Sequence, residues 1–282
     1  MPRKNQPIEE LAFVVVDVET TGLEPEDRIT EVAALRLEGL QDGLQEVGRY
    51  HCLVNPGIHI PLLATTISGI DDAMVATAPA FEAVWPALEQ LLHEAVFVAH
   101  NAPFDLHFLS AERKRAGFEA WKGPVIDTLR LARNTFTLPS YSLKALHHSL
   151  GLEHAPAHRA LADVITTAGL LRLLLARWRG RAQCLADLLA AQEPIPVPWE
   201  KLKETTLSLE TMEHLPAAAQ AGLTVELDYE GRSGIRTFRV IPLHLERSGP
   251  LVYLRVRLVD RGGDPGAFRL DRIRQVRPVA EG

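Results

Sequence analysis

The 282-residue sequence predicts an α/β sheet flanked by helices, followed by a small all-β unit. Three observations carry this reading. Two apolar runs, residues 11–16 (LAFVVV) and 95–99 (AVFVA), have the length and β-branched content of buried strands, and helically spaced segments follow them. Pro194, Pro196 and Pro198 then interrupt the chain in EPIPVPW, and alternating prolines continue neither a helix nor a central strand. Beyond them, short alternating segments are separated by turn-forming stretches such as EGRSG and RGGDPG.

After the first run, residues 29–37 and 48–54 alternate apolar and polar side chains and read as a hairpin closed by EGLQDG. Residues 61–92 have helical spacing, cut into short pieces by Pro61, Pro79 and Pro86. Residues 104–116 form a helix that stops at Gly117, and residues 124–126 a short last strand. Helices are expected over 127–134, 142–150 and 159–179, the last ending before Gly180. A leucine-rich helical stretch follows, and the proline segment after it acts as a stiff extended linker. One helix over 209–222 and strands over 225–229, 237–242, 251–259, 267–269 and 273–279 complete the chain. The domain organisation expected is thus 1–182, a linker over 183–204, and 205–282.

Composition narrows the function classes. No apolar run approaches the ~20 residues needed to cross a bilayer, so no membrane role is expected. The N-terminal stretch lacks a signal peptide's apolar region, and Cys52 and Cys184 supply neither a disulfide framework nor a four-cysteine zinc site. A reducing, cytoplasmic setting is the expectation. The net charge of −6 hides an asymmetry: residues 1–182 carry 17 Lys+Arg against 22 Asp+Glu, whereas residues 231–277 carry 11 Arg and 4 acids.

Chemistry concentrates in three places. Asp17 and Glu19 of DVETTG follow the first buried run, and acids at i and i+2 of an extended chain point to one side. Asp105 of HNAPFD falls in the first turn of a helix begun by Asn101 and Pro103, where a negative charge suits the helix dipole. Asp163 of HRALAD heads the long helix. Five residues subtend about 500° on a helix, so His158 and Asp163 share a cleft only if His158 precedes the regular helix, as Pro156 permits. Each motif alone reads as an ordinary strand end, helix start or surface histidine. Together they place four carboxylates at strand ends and helix starts, the edge where α/β sheets bind ligands. Each like-charge pair ~4 Å apart costs roughly 4 kcal/mol at an effective dielectric of ~20, so such a cluster calls for divalent cations. Oxygen-only ligation favours Mg²⁺ or Mn²⁺. A zinc reading of His154 and His158 fails because Pro156 breaks their helical spacing and no cysteine is near.

DVETTG, HNAPFD and HRALAD, in this order and spacing, resemble the signature motifs of the DnaQ-like (DEDDh) 3′→5′ exonucleases of the ribonuclease H-like fold. VNPGIHIPLLATTISGI, DTLRLAR and YSLKALHHSLGL extend the likeness over residues 13–175. The resemblance implies a mixed sheet flanked by helices and a two-cation site held by Asp17, Glu19, Asp105 and Asp163, with Asp17 bridging both ions. It implies that His158 is the general base, that Thr20, Thr21 and Gly22 hold the terminal nucleotide, and that Asn101 and Phe104 line the site. Arg159 stands where a sister subgroup has tyrosine, and Ser68 where many relatives have histidine. The implied activity is hydrolysis from the 3′ end of DNA, single-stranded ends foremost, in replication, proofreading or repair, with a polymerase or repair complex as a partner. RNA trimming, or a nucleic-acid-binding regulator with a vestigial site, are the alternatives. The C-terminal segment, with FRLDRI at 268–273, resembles the WYL family of small Sm-like barrels that sense nucleic acid or other ligands, although its naming triplet is Val252-Tyr253-Leu254 here. That barrel is expected to tether or sense nucleic acid; a solvated arginine-rich surface is the other reading.

Overall fold

The computed structural model describes residues 1–39, 43–119, 121–152, 159–193, 195–197, 209–231, 234–248 and 251–279. It separates into two compact units, Met1–Gln192 and Glu193–Gly282.

The first unit is built on a five-stranded mixed sheet. β1 (Ala12–Thr20) lies at its centre, antiparallel to β2 (Ile29–Glu38) and parallel to β4 (Ala95–Ala99). β3 (Gln45–Leu53) extends one edge beside β2, and β5 (Val125–Asp127) the other beside β4, so the order is β3-β2-β1-β4-β5. Three helices connect β3 to β4: α1 (Leu62–Ser68), α2 (Asp72–Val75) and α3 (Phe81–Leu92). α4 (Ala102–Arg115) links β4 to β5, and α5 (Thr128–Thr135), α6 (Leu143–Leu150), α7 (Ala160–Trp178) and α8 (Leu185–Ala191) follow.

Strand parity divides the core. Phe13 and Val15 of β1 face α5, α6 and α7, joining Leu131, Leu146 and Leu171, whereas Val14, Val16 and Val18 face α3 and α4, joining Leu88 and Phe108. Burial on both faces explains why residues 11–16 are continuously apolar. α8 packs Leu185 and Leu188 into the first of these clusters.

Two expectations in this unit are corrected. The first strand does not stop at Val16 but carries Asp17, Val18, Glu19 and Thr20 inside the ladder, because Asp17 to Thr20 pair with Ala33 to Ile29 of β2. Pro86 does not cut a helix either. It sits within α3, where burial of Phe81, Val84, Trp85, Leu88 and Leu92 against the sheet outweighs the backbone bond a proline removes.

The second unit contains β6 (Ile195–Val197), α9 (Leu209–Ala221), β7 (Val225–Gly231), β8 (Gly234–Ser248), β9 (Leu251–Leu258), β10 (Asp264–Arg269) and β11 (Ile273–Pro278). All its strand pairings are antiparallel, in the order β10-β9-β8-β7-β11. The sheet is open, which corrects the expected closed barrel. The 3₁₀ turn Leu270–Arg272 carries the chain from β10 across to β7, and the edge strands β10 and β11 do not pair among the described residues. β8 is longer than the predicted 237–242 because a register shift between Pro242 and His244 absorbs the proline and pairing with β9 continues. The proline segment is likewise not pure linker, since β6 pairs with Arg247 to Leu245 of β8. Proline is tolerated there because a strand with one unpaired side has no need of every N–H. The core gathers Leu215 and Ala218 of α9 with Leu227, Val240, Leu254, Val256, Phe268 and Val276. No helix among the described residues is long and apolar enough to cross a membrane.

Candidate active site

The same parity that builds the core places the acids. Asp17 and Glu19 continue the Phe13–Val15 row, so their carboxylates emerge on the face covered by α7. Asp163, in the first turn of α7, meets them there: carboxylate oxygens of Asp17, Glu19 and Asp163 lie within 4.8 Å of one another. Asp105 arrives on α4 from the opposite face. It is 2% exposed, and its Oδ1 accepts the backbone N–H of Val18 at 3.2 Å. Three of the four sequence-predicted acids therefore form one group, and Asp105 abuts it through the strand backbone.

The carboxylates strain against one another. Burial, then the charges of Asp105, Asp163 and Glu19, raise Asp17 well above the ordinary range. Glu19 is pushed up to about 7, by burial first and then by Asp163 and Glu31, with Arg159 acting the other way. Asp105 is raised chiefly by burial, against the hydrogen bond from Val18. Converging, desolvated acids of this kind are satisfied by a multiply charged cation, and an all-oxygen donor set suits a hard one such as Mg²⁺ or Mn²⁺. The residues present fit that group.

A cavity of about 480 Å³ adjoins the acids. Glu19, Thr20, Thr21, Gly22 and Leu23 form one wall, and Leu63, Ala64, Ile67 and Ser68 of α1 with Phe104 of α4 the other. Leu63 is 73% and Ile67 54% exposed, an apolar surface that a flat ring could cover. The hydroxyls of this cavity are engaged internally. Thr20 Oγ1 donates to the Gly22 carbonyl at 2.6 Å, Thr21 Oγ1 to Asp27 Oδ1 at 2.8 Å, and Ser68 Oγ to the Ala64 carbonyl at 3.0 Å. A Cβ at Gly22 would stand 2.3 Å from Asp27 Oδ2, so a larger residue there would displace the Asp27 carboxylate that holds the turn. Phe104 packs against Phe108 with ring centroids 5.0 Å apart and the rings tilted by 57°.

Asn101 takes the left-handed conformation (φ 71°, ψ 50°) at the start of α4, and its N–H donates to Asp127 Oδ1 at 3.0 Å. Its exposed side chain is not among the groups that line the cavity. His158 lies outside the described residues. α7 begins at Ala160, with Arg159 extended before it (φ −142°).

The sequence motifs did not single out Glu31, Asp27 or Asp127. Glu31 is the one with a legible signal, an acid in the otherwise apolar strand ITEVAALRL. Asp27 and Asp127 do local work, fixing the Thr21–Gly22 turn and the N-termini of α4 and α5.

Comparison with known proteins agrees with this geometry. The sequence is 43% identical over 174 residues to a DNA polymerase III subunit epsilon-like protein of Rhodobacter capsulatus, covering 60% of this chain and 24% of that protein. It is 39% identical over 170 residues to the 3′-5′ exonuclease DinG of Bacillus subtilis, covering 59% of this chain and 18% of that one. The chain thus spans about a quarter or less of these relatives' length. The solved structure of exonuclease X in complex with 5′ overhanging duplex DNA superposes with a TM-score of 0.50 at 28% identity, covering 64% of this chain and 99% of that one. A WYL-domain profile matches residues 210–278. The exonuclease profile RNase_T matches residues 14–171, more than half of the sequence and every acid of the site, and the chain belongs to that exonuclease family.

Proposed function

We propose that the chain is a 3′→5′ exonuclease that removes nucleotides from the 3′ end of DNA, single-stranded ends foremost, with two divalent cations, Mg²⁺ or Mn²⁺. The observation that carries this is the convergence of Asp17, Glu19 and Asp163 within 4.8 Å beside a nucleotide-sized cavity. Asp17, Glu19 and Asp163 would hold the ions, with Asp105 completing the set from α4. Bound there, the cations would neutralise the carboxylates and stabilise the attacking and leaving oxygens of an in-line displacement at phosphorus. His158 takes the proton of the attacking water, since an imidazole of pKa ~6.5 is a competent base near neutral pH. The Thr20–Thr21–Gly22 turn, held by Asp27, forms the floor under the terminal nucleotide, and Phe104, Leu63 and Ile67 offer apolar surface to its base. With the cavity hydroxyls engaged internally, base identity is read weakly.

The second unit holds the substrate in this reading. Among its described arginines, Arg255, Arg269, Arg274 and Arg277 pair with Glu246, Asp271, Glu230 and Asp228. Arg236, Arg239, Arg247, Arg257, Arg261 and Arg272 form no ion pair among the described residues, and a guanidinium fork suits phosphate. Replication, proofreading or repair is the setting this implies, with a polymerase or repair complex as candidate partner. Digestion of end-labelled single- and double-stranded DNA and RNA with Mg²⁺ or Mn²⁺ tests the reading. Shortening of single-stranded DNA from its 3′ end is expected, and faster digestion of RNA would transfer the proposal to RNA trimming.

A further inference from the structure

Glu31 of β2 is 0% exposed, and a buried carboxylate is costly unless donors surround it. Arg159 Nη2 donates to its Oε1 at 2.6 Å and Arg159 Nε to its Oε2 at 3.1 Å. The Ala160 N–H donates to Oε2 at 2.9 Å, and His51 Nε2 of β3 lies 2.8 Å from Oε1. These donors outweigh burial and hold the Glu31 carboxyl below its usual range. An apolar residue would satisfy the packing of this strand without such partners, so the charge serves geometry. Arg159 and Ala160 are the entry into α7, where Arg159, at the N-cap, makes no side-chain cap to the helix. Glu31 supplies that cap from the sheet, 129 residues away in sequence. Across the β1–β2 ladder, Glu31 is also the partner of Glu19. One carboxylate therefore ties the strand pair that carries Asp17 and Glu19 to the first turn of the helix that carries Asp163, beside the residue that follows His158.

We infer that Glu31 is a positioning residue of the nuclease centre, acting through Arg159 and Ala160 to fix the first turn of α7 against β1. The inference rests on the reading of this site as a two-cation nuclease centre. Its test uses the full chain with Glu31→Gln, which keeps the size of the side chain and removes its charge. The single-turnover rate on a short single-stranded oligonucleotide falls about 10–100-fold, and a higher Mn²⁺ concentration is needed for half-maximal rate, the usual cost of losing a group that orients ligands. KM for the oligonucleotide stays near wild type, because the cavity of Thr20, Ile67 and Phe104 is separate from the tie. Arg159→Lys keeps charge but not the fork and gives a smaller loss in the same direction; it carries the test if Glu31→Gln does not fold. The double variant Glu31→Gln/Arg159→Lys is no slower than the slower single variant. A wild-type rate and Mn²⁺ requirement in folded Glu31→Gln, or losses that multiply in the double variant, would overturn the inference. Mn²⁺ binding followed by electron paramagnetic resonance separates the two readings. A wild-type chain that hydrolyses nothing defeats the nuclease reading, whereas weaker Mn²⁺ binding by Glu31→Gln alone still supports the tie.

Discussion

The two units carry opposite local imbalances of charge. In the first, Asp17, Glu19 and Asp163 converge within 4.8 Å, and burial and mutual charge push the Asp17 and Glu19 carboxyls upward, a site that wants a cation. In the second, 11 arginines stand against 4 acids over residues 231–277, and six of the described ones form no ion pair among the described residues, a surface that wants an anion. The overall net charge of −6 reports neither. Function follows from where charge is left unbalanced and how dry its surroundings are. A desolvated acid cluster binds a few ions tightly, and an exposed arginine surface binds a polyanion diffusely and with strong dependence on salt.

The sharpest way to break the contrast is to empty the first site. Asp17→Ala, which removes the acid at the centre of the group, should abolish turnover while leaving oligonucleotide affinity within a few-fold of wild type; substantial residual activity would show that the ions do not depend on it. His158→Ala should lower the rate by about 10²–10⁴ at pH 7.5 with Mn²⁺ binding retained, and a near-normal rate would remove it as general base. On the other side, the combined change of Arg236, Arg239, Arg247 and Arg257 to Gln should flatten the log–log salt dependence of single-strand binding by about 3 if all four reach phosphates. Digestion of very short oligonucleotides at saturation should hardly change, because the acids lie in the other unit. An unaltered salt slope would favour a docking or regulatory role for the basic sheet.

The smallest effect is on stability. In metal-free protein Glu19 titrates at about 7 rather than the ordinary 4.5, so the folded state keeps a proton that the unfolded chain has released. Its contribution is full below pH 4.5 and is lost as pH rises through about 7, and the upward shifts of Asp17 and Asp105 act in the same direction. Calorimetry in the presence of chelator should therefore show the melting temperature declining over this range. Added Mg²⁺ or Mn²⁺ should restore it most at the alkaline end. A melting temperature that climbs with pH in chelator would contradict the electrostatic description.

Much of the catalytic unit was legible because its signals are local. A buried run such as AVFVA and a helix stop such as Gly117 declare themselves within a few residues, and the three acidic motifs stand at element ends. The rest depended on distant partners. β1 runs to Thr20 only because β2 pairs with it, and Pro86 is tolerated only because α3 is pinned to the sheet. β6 exists only because β8 offers an edge, and β11 lies beside β7 only because a three-residue 3₁₀ turn after β10 redirects the chain. Glu31 was visible as an acid in an apolar strand, but Arg159 and Ala160, the donors that link it to α7, lie 128 and 129 residues away, beyond any spacing rule. The motifs grouped Asp105 with the other acids, but its place on α4, on the other face of β1, is visible only once the layers are known.

In the proposed function, the carboxylates of the first unit hold divalent cations for hydrolysis at a 3′ end. The most direct measurement is the digestion rate of a 5′-labelled single-stranded oligonucleotide by exhaustively chelated protein as Mg²⁺ or Mn²⁺ is returned. No shortening is expected without metal, and stepwise loss of nucleotides from the 3′ end as either ion is added. Undiminished digestion by the metal-free protein, or products shortened from the 5′ end, would contradict it.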